Sequence, residues 1–267
     1  MTWWTTLVRN DVVVVVPNDI CSIHKSPKRT IMTKKTSLAQ SLSNQETVWG
    51  MVYVCFQLVL LSSLLSSLLL WGNRQLGSPL STAELNFVYY LINFLATLLI
   101  YHDFLGKNLR QATQHPAYFC QAVILGFVAY QAASWAVTTG VRLLRPGFTN
   151  YNDASLANMA SASRFLVGIG TVILVPMAEE CLFRGLIFRN LYGKSHWAAY
   201  CLSILAFAAI HILGYIGKYA PVELLIAVLQ YLPAGLCLAW TYVKSGSIFA
   251  PMVVHGAINY LALRAMR

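Results

Sequence analysis

Two long stretches without a charged residue constrain the fold of this chain more than any other feature. Trp49 to Trp71 and Tyr118 to Val141 each exceed the roughly 20 residues that a helix needs to cross a hydrocarbon core. The chain is 57% hydrophobic and only 10% charged, with a mean hydropathy of +0.59, a composition that does not suit a soluble domain. The sequence therefore predicts an all-α fold, a polytopic transmembrane helical bundle.

The apolar pattern predicts about seven membrane spans. They cover residues 49–71, 85–101, 118–141, 164–192, 197–214, 222–243 and 248–264. Charged residues interrupt the fourth span, but no strong stop signal precedes the turn at Tyr192, so we interpret it as one long helix. We expect three regions: a tail over residues 1–48, three N-terminal transmembrane helices over 49–159, and a four-helix core over 160–267.

The N-terminal segment differs from the rest of the chain. Polar and basic residues surround the run from Val12 to Val16, which is too short to span a bilayer or to act as a secretory hydrophobic region. We expect a disordered cytoplasmic tail. The sequence after Met32 resembles the opening of a protein, so a translation start at Met32 is a second hypothesis.

The charge distribution predicts the orientation and the class of partner. Basic residues cluster before the first span, which places the N-terminus in the cytoplasm by the positive-inside rule and, with seven spans, the C-terminus outside. The net charge of +10 does not indicate nucleic-acid binding, because no basic helix carries interleaved aromatic residues. Six cysteines show no CxxC pairing, so neither a disulfide framework nor a cysteine metal site is expected.

Adjacent glutamates in the fourth span are the first candidate catalytic residues. The chain has only nine acidic residues, and Glu179 and Glu180 stand side by side in an apolar helix, where an ionisable group is costly and marks a functional candidate. Arg184 lies four residues after Glu180, so the two can pair on one helical face and leave Glu179 free to act as a base. The alternative is that Glu180 and Arg184 form only a structural ion pair.

Two histidines and an amide on later spans complete the candidate set. His211 lies in the fifth span and His255 in the seventh, and Asn259 shares a helical face with His255. A lone membrane histidine is often just a hydrogen-bonding core residue, but two on separate helices after a Glu-Glu pair favour a site. The sequence contains no HExxH, Gly-x-Ser-Gly or Gly-x-Gly-Asp motif, which disfavours serine and aspartyl mechanisms.

These motifs resemble a known family. Glu179-Glu180-x-x-x-Arg184, Phe207-x-x-x-His211 and His255-x-x-x-Asn259 are similar, in order and spacing, to the signature of the CPBP family of membrane proteases. That family includes CAAX prenyl endopeptidases and bacteriocin-processing or immunity proteins, also called Abi proteins. The resemblance covers residues 160 to 265. It implies hydrolysis of a peptide bond by a water activated at Glu179, with assistance from His211 and with His255 and Asn259 completing the site.

Two chemistries for this site remain open. Glu179, His211 and His255 could hold a divalent metal, with zinc preferred because imidazoles and a carboxylate are ordinary zinc ligands. Equally, His255 and Asn259 could form an oxyanion hole around a water activated without metal. The expected partners are membrane lipid and a peptide or membrane-protein substrate.

The compact loops suggest a bacterial membrane protein, for which a peptide pheromone, a bacteriocin leader or a membrane-protein segment is a more plausible substrate than a prenylated cysteine peptide. A non-catalytic immunity or scaffold protein is the second hypothesis. A proton-coupled transporter is the third, disfavoured because no broken-helix pair or hydropathy repeat is visible.

Overall fold

The computed structural model describes residues 4–9, 12–17, 38, 41–56, 62–77 and 79–266. The chain divides into two units, Met1–Lys35 and Thr36–Arg267. In the first unit, strands β1 (Trp4–Arg9) and β2 (Val12–Pro17) pair in antiparallel fashion. They lie within the segment for which a cytoplasmic tail is predicted, and β2 contains the run from Val12 to Val16, a composition that favours extended backbone. Met32 lies outside the described residues.

The regular secondary structure among the described residues of the second unit is helical, which confirms the all-α prediction for that unit. In this described part, ten helices, named here α1 to α10, follow one another, and a short 3₁₀ turn, Leu213–Tyr215, lies between α8 and α9. They are α1 (Asn44–Phe56), α2 (Ser62–Arg74), α3 (Thr82–Ile100), α4 (His102–Gln114), α5 (Pro116–Leu144), α6 (Tyr151–Ala162), α7 (Arg164–Tyr192), α8 (His196–Ile210), α9 (Pro221–Ser245) and α10 (Phe249–Ala265).

Four of these helices, α3, α5, α7 and α9, are long and apolar enough to cross a membrane. They correspond to the second, third, fourth and sixth predicted spans. The predicted total of about seven is not confirmed. The first predicted span passes through residues 57–61, outside the described part, while α8 has 15 residues and α10 has 17, both shorter than the roughly 20 residues of a full crossing.

Helix α7 is continuous from Arg164 to Tyr192, as predicted, but it is not uniformly α-helical. Two π-helical stretches, Gly170–Leu174 and Cys181–Phe188, flank the α-helical stretch Val175–Glu180. The π geometry changes the backbone hydrogen bonding and is frequent at functional sites. The candidate glutamates therefore lie between two local irregularities that hydropathy could not reveal.

Glycines allow the long helices to approach closely. A Cβ added at Gly126 of α5 would lie 2.0 Å from the Thr241 Oγ1 atom of α9. A Cβ at Gly256 of α10 would lie 2.6 Å from the backbone oxygen of Val172 in α7. Since real Cβ contacts are never this short, only glycine permits these two helix pairs to pack as they do.

Helix α1 begins within the segment that was predicted to be tail. Glu46 and Ser43 form a reciprocal capping pair: the Ser43 N–H donates to Glu46 Oε2 at 2.8 Å, and the Glu46 N–H donates to Ser43 Oγ at 3.2 Å. The other carboxylate oxygen of Glu46 accepts the backbone N–H of Phe104 at 2.7 Å. Glu46 is buried, so its carboxylate joins the start of α1 to the start of α4.

Helix α4 in turn holds the start of α10. The Asn108 side chain accepts the backbone N–H of Ile248 at 2.8 Å, and its backbone oxygen accepts the Ser247 hydroxyl at 2.8 Å. The amide of Asn108 also donates to the Phe104 oxygen at 2.8 Å. All of these groups are buried, so the N-terminal end of α10, the helix that carries His255, is fixed by side-chain and backbone bonds from α4.

Candidate active site

The most deeply buried part of the site is an ion pair within α7. Arg184 Nη1 donates to Glu180 Oε1 at 3.0 Å, and both side chains are fully buried. The second terminal nitrogen of Arg184 donates to the Gly235 oxygen of α9 at 3.1 Å, and the guanidinium carbon lies 4.7 Å from the centre of the Phe207 ring. The pairing predicted from the four-residue spacing is therefore observed, and it joins α7 to α8 and α9.

Glu179 has a different environment from its neighbour. It is partly exposed, and its Oε2 atom is buried without a hydrogen-bond partner among the described residues. The residue lines a cavity of about 320 Å³. A carboxylate oxygen that is not used by the fold can accept a proton from a bound water.

His255 lies between the two glutamates. Its Nδ1 atom is 2.9 Å from Glu180 Oε1, while its Nε2 atom is 3.9 Å from Glu179 Oε2. Glu180, paired with Arg184, acts as an acceptor, so the hydrogen on His255 is assigned to Nδ1. The Glu180 carboxylate thereby fixes both the orientation of the ring and its tautomer.

His211 forms the C-terminal end of α8. Its Nδ1 atom is 2.8 Å from the Phe207 backbone oxygen, an acceptor, so Nδ1 carries the hydrogen and Nε2 has a free lone pair. The ring stacks on Tyr231 with 4.2 Å between ring centres. His211 is thus oriented by its own helix and by α9 rather than by the glutamates.

Asn259 lies one turn beyond His255 on α10. One N–H of its amide donates to the Thr171 backbone oxygen at 2.8 Å. Thr171 belongs to the first π-helical stretch of α7. This bond leaves the second N–H and the oxygen of the amide available to a ligand.

The structure brings four of the six predicted residues to one cavity. Glu179, His211, His255 and Asn259 all line the cavity of about 320 Å³. Glu180 and Arg184 do not line it; they lie behind His255 and Glu179. The motif residues therefore separate into a group that can contact a ligand and a pair that orients that group.

Helix α6 contributes cavity residues that the sequence analysis missed. Asn150, Asn152 and Asp153 line the cavity, and Tyr90 of α3 lines it as well. The apolar pattern did not mark α6, because it is short and lies between predicted spans. One sequence pattern does predict the start of α6: Asn150 is a typical helix N-cap residue, and Asp153 is an acid in the first turn that follows.

Two groups near the cavity, outside the long apolar helices, have shifted pKa values. Desolvation raises the pKa of Asp153 although its carboxyl remains accessible to water, and nearby His211 opposes the effect. The hydrogen bond from Tyr151 to Glu223 raises the pKa of Tyr151 to about 12. Glu223 also lies 3.9 Å from Arg145, so it links the start of α9 to the end of α5 and to α6.

Metal binding by this cavity was tested on the donor geometry. Among the described residues, no group of three or more His, Cys, Asp or Glu side chains is placed to hold a metal ion. The Nδ1 atoms of both histidines are used by protein acceptors. Zinc held by Glu179, His211 and His255 therefore stays a prediction.

Comparison with known proteins places this geometry in context. The UPF0177 protein YbdI of Lactococcus lactis subsp. lactis (strain IL1403) is 30% identical over 99 residues, which are 37% of this chain and 48% of that protein. The UPF0177 protein YxdF of the same strain is 28% identical over 95 residues, 36% of this chain and 47% of that protein. The chain thus spans about half the length of the curated relatives it matches.

No solved structure matches this chain. Residues 161–261 match the family described as Rce1-like, type II CAAX prenyl endopeptidase Rce1-like. This segment is less than half of the chain, yet it contains every motif residue discussed above. The segment that carries Glu179, His211, His255 and Asn259 is therefore confirmed as similar to the Rce1-like CAAX prenyl endopeptidases, as the three motifs predicted.

Proposed function

We propose that this protein is an intramembrane endopeptidase that hydrolyses a peptide bond in a membrane-associated or lipid-modified peptide. The observation that carries the proposal is the Glu179 carboxylate, which has an oxygen without a partner among the described residues and shares one cavity with His211, His255 and Asn259. The Rce1-like match over residues 161–261 supports a protease of the CAAX type. The natural substrate and the residue roles below are part of the proposal.

Glu179 acts as the general base in this mechanism. Its free oxygen accepts a proton from a water in the cavity while the water oxygen attacks the peptide carbonyl carbon, which gives a tetrahedral oxyanion. The protonated Glu179 then delivers the same proton to the leaving nitrogen as the C–N bond breaks. One water is consumed, one carboxyl and one amine are released, and the carboxylate is regenerated.

The other cavity residues stabilise the developing charge. The unused N–H of Asn259 is a donor for the oxyanion, an interaction that is stronger in the transition state than in the ground state. His211 offers the Nε2 lone pair to the attacking water or to the amide hydrogen of the substrate. With its hydrogen on Nδ1, His255 presents the lone pair of Nε2, 3.9 Å from Glu179 Oε2, to the water that Glu179 activates.

Glu180 and Arg184 are positioning residues. Neither lines the cavity, so neither contacts substrate. Glu180 fixes the tautomer of His255, and Arg184 neutralises Glu180. A buried carboxylate held by arginine and histidine leaves Glu179 as the carboxylate that can exchange a proton with bound water.

The surroundings of the site favour a membrane-associated substrate. Four apolar helices are long enough to cross a membrane, and all four contribute residues to the cavity: Tyr90 of α3, Tyr130 of α5, Glu179 of α7 and Tyr231 of α9. The cavity volume of about 320 Å³ lies at the lower end of ligand pockets, about 300 to 1,000 Å³. It therefore admits a few residues of an extended peptide. We place the protein in the bacterial cell membrane with its N-terminus in the cytoplasm.

The test is cleavage of a membrane-peptide library by the purified protein in detergent. Glu179→Gln and His211→Ala variants are assayed beside Glu84→Gln, a matched control in which another helix glutamate, outside the cavity, loses its charge. We expect loss of at least about 100-fold in cleavage for Glu179→Gln, the lower range for a general base, and an unchanged rate for Glu84→Gln. Cleavage that persists in Glu179→Gln would overturn the proposed mechanism.

A chelator arm separates the two chemistries that the sequence left open. Loss of cleavage after chelation, restored by Zn²⁺, would establish the metal site formed by Glu179, His211 and His255. Cleavage that is insensitive to chelation supports the metal-free route. The scaffold alternative would be established by two results together. The wild-type protein would cleave no peptide but would confer immunity to a bacteriocin, and the Glu179→Gln variant would confer the same immunity.

A further inference from the structure

The cavity has a second polar end, which lies beside His211. Asp153 in the first turn of α6 lines it, together with Tyr130 and Ser134 of α5 and Gln230 of α9. None of these residues belongs to the three motifs, and none except Gln230 lies in the matched segment 161–261. The chemistry described above makes no use of this end of the cavity.

Asp153 is held in place by bonds from the residue that caps its helix. Asn150 donates to Gln230 Oε1 at 2.9 Å and accepts the Tyr231 hydroxyl at 3.0 Å. Its side chain also accepts the Asn152 N–H at 3.0 Å to cap α6. The start of α6 is therefore tied to α9, and Asp153, three residues later, faces the cavity from a fixed position.

The charges around the cavity are unbalanced. Its lining, as far as the described residues form it, includes two carboxylates, Asp153 and Glu179, and two histidines, but no lysine or arginine. A concave site with carboxylates and low-dielectric walls attracts cations. Asp153 is accessible to water in the cavity, so an entering ligand can reach it.

Helix stability alone does not account for the position of Asp153 at the cavity wall. An acid in the first turn stabilises a helix through its dipole, and Asp103 in the first turn of α4 does so on the surface, where its side chain is 60% exposed. The dipole effect requires only proximity to the helix terminus. It does not require that the carboxylate line a cavity shared with His211 and Glu179.

We propose that Asp153 forms a cation-accepting subsite of the substrate cavity, which takes the ammonium or guanidinium group of a substrate residue close to the scissile bond. The inference rests on the proposed function and adds a substrate class to it: peptides with a basic residue next to the cleavage site. The Asp153 carboxylate lines the cavity together with Glu179 and is accessible to water, so it offers an acceptor to a cation of the bound peptide.

The test uses decapeptide libraries with randomised apolar flanks and one fixed central residue. Lysine is compared with norleucine, which has a similar shape without the charge, and with glutamate. Both termini are blocked, and a further norleucine library with a free N-terminus distinguishes a side-chain cation from a terminal one. Cleavage products are quantified by mass spectrometry for the wild type, Asp153→Asn, Asp153→Lys and the surface control Asp103→Asn.

We expect the wild type and Asp103→Asn to favour the lysine library over norleucine by roughly fivefold, as for an accessible ion pair. In Asp153→Asn this ratio should fall to about 1, and in Asp153→Lys the glutamate library should become preferred. A merely structural role for Asp153 would lower all rates and leave the ratio unchanged. A wild type that cleaves the lysine and norleucine libraries equally would overturn the subsite while leaving proteolysis intact.

A binding measurement keeps the subsite testable if no library is cleaved. Immobilised Glu179→Gln protein is used to capture each library. Its capture is compared with that of the double variant, which carries Glu179→Gln and Asp153→Asn in one chain. Enrichment of lysine peptides that depends on Asp153 supports the subsite even where the proposed protease activity fails. Equal capture of lysine and norleucine peptides, or no capture of either, would overturn it.

Discussion

Arg184→Met tests whether the buried ion pair has the structural role assigned to it. Methionine has an unbranched side chain that fills part of the same space but carries no charge. The substitution therefore removes the partner of Glu180, whose fully buried carboxylate lies 3.0 Å from the Arg184 guanidinium. It also removes the bond to the Gly235 oxygen. Breaking one side of a buried pair costs about 3–5 kcal/mol, because the remaining charge is left without compensation.

The free energy of unfolding is measured by denaturant titration of the purified protein in detergent, for Arg184→Met, Glu180→Gln and the double variant. Replacing both partners removes the uncompensated charge, so the double variant should lose less stability than the sum of the two single variants, by about 0.5–3 kcal/mol. Glu179→Gln is the control, since its carboxylate has an unpartnered oxygen in the cavity and its neutralisation should cost under about 1 kcal/mol.

Two results would refute this reasoning. A cost below about 1 kcal/mol for Arg184→Met would mean that Glu180 does not depend on the arginine, in contrast to the breaking of a buried pair. Additive effects in the double variant would mean that the two side chains do not interact energetically. Either result would also remove the basis for assigning His255 its orientation through Glu180.

Two further predictions concern the packing that positions the site. Glu46→Ala should cost about 1–3 kcal/mol of unfolding free energy, because the buried Phe104 N–H loses its acceptor; Glu46→Gln, which keeps an acceptor, should cost less in the same titration. Gly126→Ala should cost about 1–3 kcal/mol through the clash with Thr241. Gly140→Ala on the same helix meets nothing within 4 Å and should be neutral or slightly stabilising, so equal losses at both glycines would contradict the close approach of α5 and α9.

The local part of the site was predictable from the sequence. Helical spacing alone places Arg184 next to Glu180, and it places Asn259 on the same face as His255, which the shared cavity bears out. These predictions held because a helix fixes which residues are neighbours over one turn. The separation of Glu179 from its neighbour followed from the same geometry.

The parts that depended on contacts between distant segments could not be predicted. The His211 ring is oriented by a hydrogen bond to the Phe207 oxygen of its own helix and by stacking on Tyr231 of α9. No periodic pattern in the sequence predicts the contact with Tyr231. Asp153 reaches the cavity because Asn150 is tied to α9, a contact between residues 80 positions apart. The π-helical stretches of α7 leave no trace in hydropathy, since their residues are as apolar as those of an α-helix.

The bonds of Glu46 and Asn108 have a consequence for how much of the chain a working enzyme needs. Glu46 holds the start of α4, and α4 through Asn108 holds the start of the helix that carries His255. Both residues precede the segment 161–261 that matches the family. An expressed fragment limited to that segment would contain every motif residue but would leave the buried Ile248 N–H without its acceptor. We therefore expect a stably folded unit to extend back at least to Ser43, well beyond the boundary that family similarity marks.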